Sequence, residues 1–256
     1  AQDSYNPVLK KLLAKGVRTI ENLTAPTIAH FFLAEQSYAD ELPFIGNRFT
    51  IVENKYKPTA DYKPRLTPVQ LNSGRVRLLY SGTISRIYGI FEAIALADTW
   101  HRQKPNVTLT IIGYCAHEPT LQQLRQTIAD KPYITIVGGG KLVPHPEILQ
   151  AIATHDIGLL PYQPNESTFR CIPTKLYEYM AYGLPILMQH NPLWNDILSA
   201  HSAGLSIDFN NYSINNLESE FYSLTFYSTG IPETAFWNSE EDRLLQAVTL
   251  ILNRQQ

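Results

Sequence analysis

Lys175 and Glu178 stand three residues apart in the stretch FRCIPTKLYEYMAYGLPILM, behind Pro173 and ahead of Gly183. The spacing predicts a short helix over 173–182, with Pro173 at its first position and Gly183 as its stop. The first turn of such a helix has free N–H groups and the positive end of the helix dipole, which together suit a phosphate. Glu178 lies about one turn further in, too far from that end to be merely a cap. A carboxylate there can accept hydrogen bonds from a ribose diol, as acidic residues do in other α/β nucleotide sites. Spacing alone leaves a plainer account open: a solvated Glu178 paired with Lys175, contributing roughly a few tenths of a kcal/mol.

The elements that must position this pair are legible after residue 75. Apolar strand segments are expected at 76–80, 107–112, 134–137, 157–160, 184–188 and 205–207. Helical stretches are expected near 89–103, 118–130, 145–154, 173–182 and 192–201. Short apolar strands alternating with helices imply an α/β fold, a parallel sheet covered on both faces. Ligands in such folds sit beyond the carboxyl ends of the strands. The loops that follow the strands carry Ser81-Gly82-Thr83, Gly113, and Gly138-Gly139-Gly140. A glycine lets a ligand approach the backbone closely, and each of these reads equally as a tight turn. The triple glycine fits no phosphate-loop pattern such as GxxxxGK[ST].

Ahead of the regular part, residues 6–22 predict an amphipathic helix with Asn6 as cap and Pro7 at the first position. Val8, Leu9, Leu12, Leu13, Val17 and Ile20 line one side, and Lys10, Lys11, Lys15 and Arg18 the other. A basic amphipathic helix can rest on an anionic membrane surface, and more commonly is simply solvated. Strands are expected at 30–34 and 49–52 with a helix at 36–42, too little to make a sheet with its own core. Residues 54–74 hold prolines at 58, 64 and 68 without apolar periodicity and read as a linker. The aromatics Tyr212, Phe221, Tyr222, Phe226, Tyr227, Phe236 and Trp237 are expected to pack helices onto the sheet or a neighbouring lobe, ahead of a closing helix near 239–253.

The 256 residues, 44% hydrophobic and 17% charged, suit one large α/β domain or one domain plus part of another. A net charge of −2 gives no basic field for nucleic acid. Two cysteines, Cys115 and Cys171, are too few for a disulfide framework and point to a reducing, cytoplasmic setting. No run approaches the ~20 apolar residues of a membrane span. The chain starts at Ala1, not methionine, and is read as an excised fragment whose beginning is absent. His30, His101, His117, His145, His155, His190 and His201 show no metal-ligand spacing, and no DxD run stands near a strand end. No histidine is assigned a role; His190, after a strand, is the best placed of them.

Together, IPTKLYEYMAYGLPIL, the LLYSGT turn, the LTIIG strand and DIGLLPY resemble the nucleotide-sugar-binding lobe of GT-B glycosyltransferases, nearest the large retaining family 4. The resemblance implies a Rossmann-like donor lobe over 75–256, a linker over 59–74, and a remnant of the amino-terminal acceptor lobe with the crossover over 1–58. It implies transfer of a sugar from a UDP- or GDP-linked donor to a hydroxyl of a saccharide or lipid-linked acceptor, without a metal. Glu178 matches the second glutamate of the family's paired-glutamate motif, the one that holds the donor ribose. The first would fall at 170, where this chain has Arg170. The arginine and lysine that neutralise the diphosphate in family members fall at Thr83 and Tyr88; Arg86, Arg170 or Lys175 could substitute. Gly138–Leu142, including Lys141, matches the loop that contacts the base, and Gly82, Thr83, Gly113, Pro173 and Thr174 complete the expected donor site. The missing acceptor lobe makes the chain alone inactive on this reading. Two rivals remain: a sugar-nucleotide epimerase or hydrolase of the same fold, and a binding or scaffolding lobe, which Arg170 in place of glutamate would suit.

Overall fold

The alternating pattern folds, in a computed structural model that describes residues 7–72, 74–165 and 169–253, into two compact units. One combines the residues up to Asn54 with those from Asn238 onward; the other is Lys55–Trp237.

In the first unit, helix α1 (Pro7–Thr24) is followed by strand β1 (Phe31–Leu33), helix α2 (Gln36–Glu41) and strand β2 (Phe49–Ile51). The two strands pair in parallel, Phe32 opposite Thr50. Arg48 ties the segment together by donating to the carbonyls of Ala25 and Ile28 at 2.9 and 2.5 Å. The expected cap Asn6 lies outside the described residues. Leu9, Leu12, Leu13, Val17, Ile20 and Leu23 of α1 are all exposed, so its apolar stripe faces away from this unit's core.

The second unit carries the sheet. Strands β3 (Val76–Thr83), β4 (Val107–Tyr114), β5 (Ile134–Gly139), β6 (Ile157–Leu160), β7 (Ile186–Gln189) and β8 (Gly204–Ile207) lie in the order β5-β4-β3-β6-β7-β8, all parallel. Because both faces are covered, β6 and β7 are buried at every residue, which is why their sequence, up to the closing Gln189, runs without polar alternation. The covering helices are α3 (Ile90–Gln103), α4 (Glu118–Thr127), α5 (His145–Thr154), α6 (Thr174–Ala181), α7 (Pro192–Ala200) and α8 (Ile214–Ser223). Helix α3 shows the amphipathic logic: Ile90, Ala93, Ile94, Leu96, Ala97 and Trp100 are buried. The strand order reverses direction between β3 and β6, the switch point at which a doubly wound sheet opens a crevice.

Three expectations change. The segment after residue 55 is a strap rather than a loose linker: Val69 and Phe226 exchange two backbone hydrogen bonds of 2.8 Å, and Tyr56 accepts from Trp237 N–H at 2.8 Å. Its anchors are single aromatic and aliphatic residues in a proline-interrupted segment, a pattern without periodicity. The closing helix α9 (Asn238–Asn253) groups with the first unit, not with the sheet. Its Glu240 is wholly buried and accepts from Glu53 N–H at 3.3 Å and Arg243 at 2.9 Å. Helix α8 lies where only packing aromatics were expected. Ser213 caps it by accepting from Asn216 N–H, and Glu218 accepts from Trp100 Nε1 at 2.6 Å on α3. Among the described residues no helix is long and apolar enough to cross a membrane.

Candidate functional site

Helix α6 starts beyond the carboxyl end of β6, beside the switch point. Pro173 is its N-cap, with φ −62° and ψ 129°, so the helix begins one residue later than the sequence suggests. Its far end closes as a Schellman motif: Gly183, at φ +65°, donates to Met180 O and Leu184 donates to Tyr179 O, both at 3.0 Å. The strap holds that end too. Tyr62 Oη donates to Ala181 O at 2.5 Å, and Arg65 N–H to Tyr182 O at 3.2 Å. On the buried face the hydroxyls of Tyr179 and Ser81 lie 2.9 Å apart, joining α6 to β3.

On the other face Lys175 and Glu178 form the expected pair, with Nζ 2.5 Å from Oε2. The pair is not solvated, since each side chain is 13% exposed. His145, the first residue of α5, places Nε2 3.3 Å from the other carboxylate oxygen. Burial pushes the Glu178 carboxyl up, but the hydrogen bond from His145 and the charge and hydrogen bond of Lys175 together hold it below the ordinary carboxylate value. Glu178 is therefore held as an ionised, acceptor-only group. Burial also pushes up the phenols of Tyr162 and Tyr179, with the Glu178 charge adding to the shift, so both stay neutral donors.

The lysine stem crosses β3 where that strand lacks a side chain. A Cβ at Gly82 would stand 2.9 Å from Lys175 Cε. Gly82 begins a row, because the sheet register aligns Gly82 with Gly113 and Gly113 with Gly138. A Cβ at Gly113 would stand 1.7 Å from Gly82 O, so only glycine fits there. At Gly138 the loop curls back until Val143 and the Lys141 carbonyl crowd the same spot. Three adjacent strands thus carry an aligned glycine at their penultimate position.

The family of proteins described as "Glycosyl transferases group 1" matches residues 75–215. The chain belongs to this family. Among curated proteins none matches the sequence significantly. Among solved glycosyltransferases, HepE of Anabaena in complex with UDP superimposes with a TM-score of 0.66 at 12% identity, covering 92% of this chain and 67% of that one. AviGT4, involved in avilamycin A biosynthesis, gives 0.60 at 16% identity, over 86% of this chain and 63% of that one. The pneumococcal O-GlcNAc transferase GtfA, in complex with UDP and GlcNAc, gives 0.55 at 14% identity, over 91% of this chain and 47% of that one. The likeness identifies the fold as GT-B, with the Lys55–Trp237 unit as a Rossmann-like lobe. This chain spans 63% of AviGT4 and 47% of GtfA.

Within this member of the family, the expected site residues separate into two sets. Gly82, Gly113, Gly138, Pro173, Thr174, Lys175 and Glu178 lie at the carboxyl edge of the sheet, linked by the contacts above. Lys141 and Leu142 are exposed on the loop beside Gly138, Leu142 at 80%. Thr83 is exposed at the end of β3, its carbonyl accepting from Tyr80 Oη at 2.9 Å. Arg86 turns elsewhere: it donates to Gln123 on α4 and lies 4.7 Å from the Phe91 ring centre. Of the cations weighed for the diphosphate, Lys175 is the one beside Glu178.

Arg170 stands on an exposed turn whose backbone is held on both sides by α7. Asn191 donates to Phe169 O at 2.8 Å and Trp194 Nε1 to Cys171 O at 2.7 Å. His190 lies near Ser206 and Asn195, at 3.4 and 3.0 Å. Sequence reasoning missed His145, and with it Tyr162, whose ring lies 4.7 Å from that of Tyr88. The one available signal was the Pro-His-Pro run at 144–146, which places a side chain rigidly at a helix start. Among the described residues no group of three His, Cys, Asp or Glu side chains could hold a metal ion.

Proposed function

We propose that this chain supplies the donor side of a retaining glycosyltransferase that takes its sugar from a nucleoside diphosphate sugar. The observation that carries the reading is Glu178: a mostly buried carboxylate with Lys175 Nζ at 2.5 Å and His145 Nε2 at 3.3 Å, beside the aligned glycines 82, 113 and 138. Glu178 accepts the ribose hydroxyls. The Lys175 ammonium has three donors, one used by Glu178, and turns the others to the diphosphate with the amides of the first turn of α6. The loop 138–142 meets the base through its backbone. That HepE and GtfA were crystallised with UDP supports uridine as the first nucleotide to test.

In the transfer, the bond between the anomeric carbon and the diphosphate oxygen breaks and its electron pair leaves with the diphosphate. The acceptor oxygen bonds to that carbon, and its proton passes to the departing phosphate oxygen. Fixed positive potential from Lys175 and the α6 amino terminus is strongest where that charge develops. The acceptor, a saccharide or lipid-linked hydroxyl, is proposed to be held mainly by a lobe that this chain does not supply.

Calorimetric titration with UDP and GDP tests the reading. One of the two binds, and Glu178→Ala weakens it about tenfold or more. Failure of both nucleotides to bind overturns the donor site and leaves a scaffolding lobe, the reading that Arg170 in place of glutamate favours. Sugar transfer by this chain alone overturns the two-lobe assignment.

A further inference from the structure

His145 opens α5 between two prolines. Pro144 is the N-cap, with φ −55° and ψ 135°, and Pro146 is the second helical residue. Each ring fixes its own φ, and a residue that precedes proline is restricted too, so the backbone at 145 has little freedom. From there the imidazole reaches α6, 51% exposed itself, to a carboxylate that is 13% exposed. An ionised carboxylate only accepts, so His145 Nε2 donates in the 3.3 Å contact to Glu178 Oε1. Lys175 holds Oε2. With one donor on each oxygen, about two of the four acceptor sites of the carboxylate remain, in one fixed orientation. Two acceptor sites on a single fixed group match a pair of vicinal hydroxyls.

We infer that His145 is a positioning residue for the ribose contact: it holds the Glu178 carboxylate in the orientation that accepts both hydroxyls and so makes the site select ribonucleotides over deoxyribonucleotides. The inference rests on the donor-site reading above. Lys175 alone leaves Oε1 without its partner and the carboxylate free to rotate about its last bond, a torsion with broad wells. With His145 in place that freedom is removed before a ligand arrives.

The test is calorimetric titration of the wild-type chain, His145→Ala and His145→Gln with UDP and with 2′-deoxy-UDP; GDP and its 2′-deoxy form replace them if the wild type prefers guanine. The wild type is expected to bind the ribonucleotide at least about tenfold more tightly than the deoxy form. His145→Ala narrows that ratio to about two- or threefold, chiefly by weakening the ribonucleotide. His145→Gln, whose amide keeps a donor, restores most of it. Thermal melts of the three proteins agree, because the imidazole is half exposed. A ratio unchanged in His145→Ala overturns the inference and leaves the donor site standing. Equal weakening of both nucleotides also overturns it, since a merely structural role would do that. A wild type that binds neither UDP nor GDP overturns the donor site and the inference with it.

Discussion

The two halves of the six-stranded sheet end differently. Strands β5, β4 and β3 carry the aligned glycines 138, 113 and 82 one residue before their ends. Beyond β6 and β7 come Tyr162, Gln163, His190 and Asn191, and the segment between them contains α6 with Lys175 and Glu178. One half carries a row of glycines, the other side chains, and the Lys175 stem lies across the boundary at Gly82. The difference teaches that the site depends on what the glycine half lacks as much as on what the other half carries.

The sharpest way to break this contrast is to give the bare half a side chain. Gly113→Ala drives a Cβ against the Gly82 carbonyl, backbone against which no rotamer offers relief. It is expected to destabilise the fold by about 3 kcal/mol, seen as a fall of roughly 10 °C in melting temperature. Gly82→Ala meets the flexible end of Lys175 instead, but at φ +105°. Its cost to stability is nearer 1 kcal/mol, about what a strained backbone position costs. Its main effect falls on nucleotide binding, expected to match that of Lys175→Ala, with the double variant no worse than either single one. Additive losses would show that the glycine and the lysine act separately.

The smallest effect is a matter of pH. Because the folded Glu178 carboxyl lies below its ordinary value of 4.5, its contribution is complete above that value and is lost as pH falls through the folded one. Nucleotide affinity is therefore expected to hold down to about pH 5 and to fall below 4.5. In Glu178→Gln that acid limb is absent. A decline that begins near neutrality would show that the carboxylate is not held in its charged form.

Much of this was legible in the sequence, for physical reasons that vary with the element. The buried parallel strands announce themselves as apolar runs, and the Pro173–Gly183 bracket marks α6 to within a residue at each end. Lys175 and Glu178 are three apart on a helix, so local geometry alone joins them. His145 and Glu178 are separated by 33 residues and meet only because the sheet order brings the start of α5 beside α6. No periodicity encodes that meeting. The strap was hidden for another reason: Tyr56, Tyr62 and Val69 dock one at a time, spaced irregularly around the prolines at 58, 64 and 68. Helix α9 was assigned to the nearer domain because chain order does not reveal that its buried Glu240 receives the amide of Glu53.

The hydroxyl pair of Ser81 and Tyr179 has a mechanical consequence. With that bond buried, α6 cannot rotate about its axis without drawing a phenol out of the protein interior. Lys175 and Glu178 precede Tyr179 within the same two turns, so they form a stationary jaw rather than a closing one. On the proposed donor reading, substrate exchange falls to the opposite rim around Lys141 and Leu142, and crystals grown with and without nucleotide should superimpose over α6.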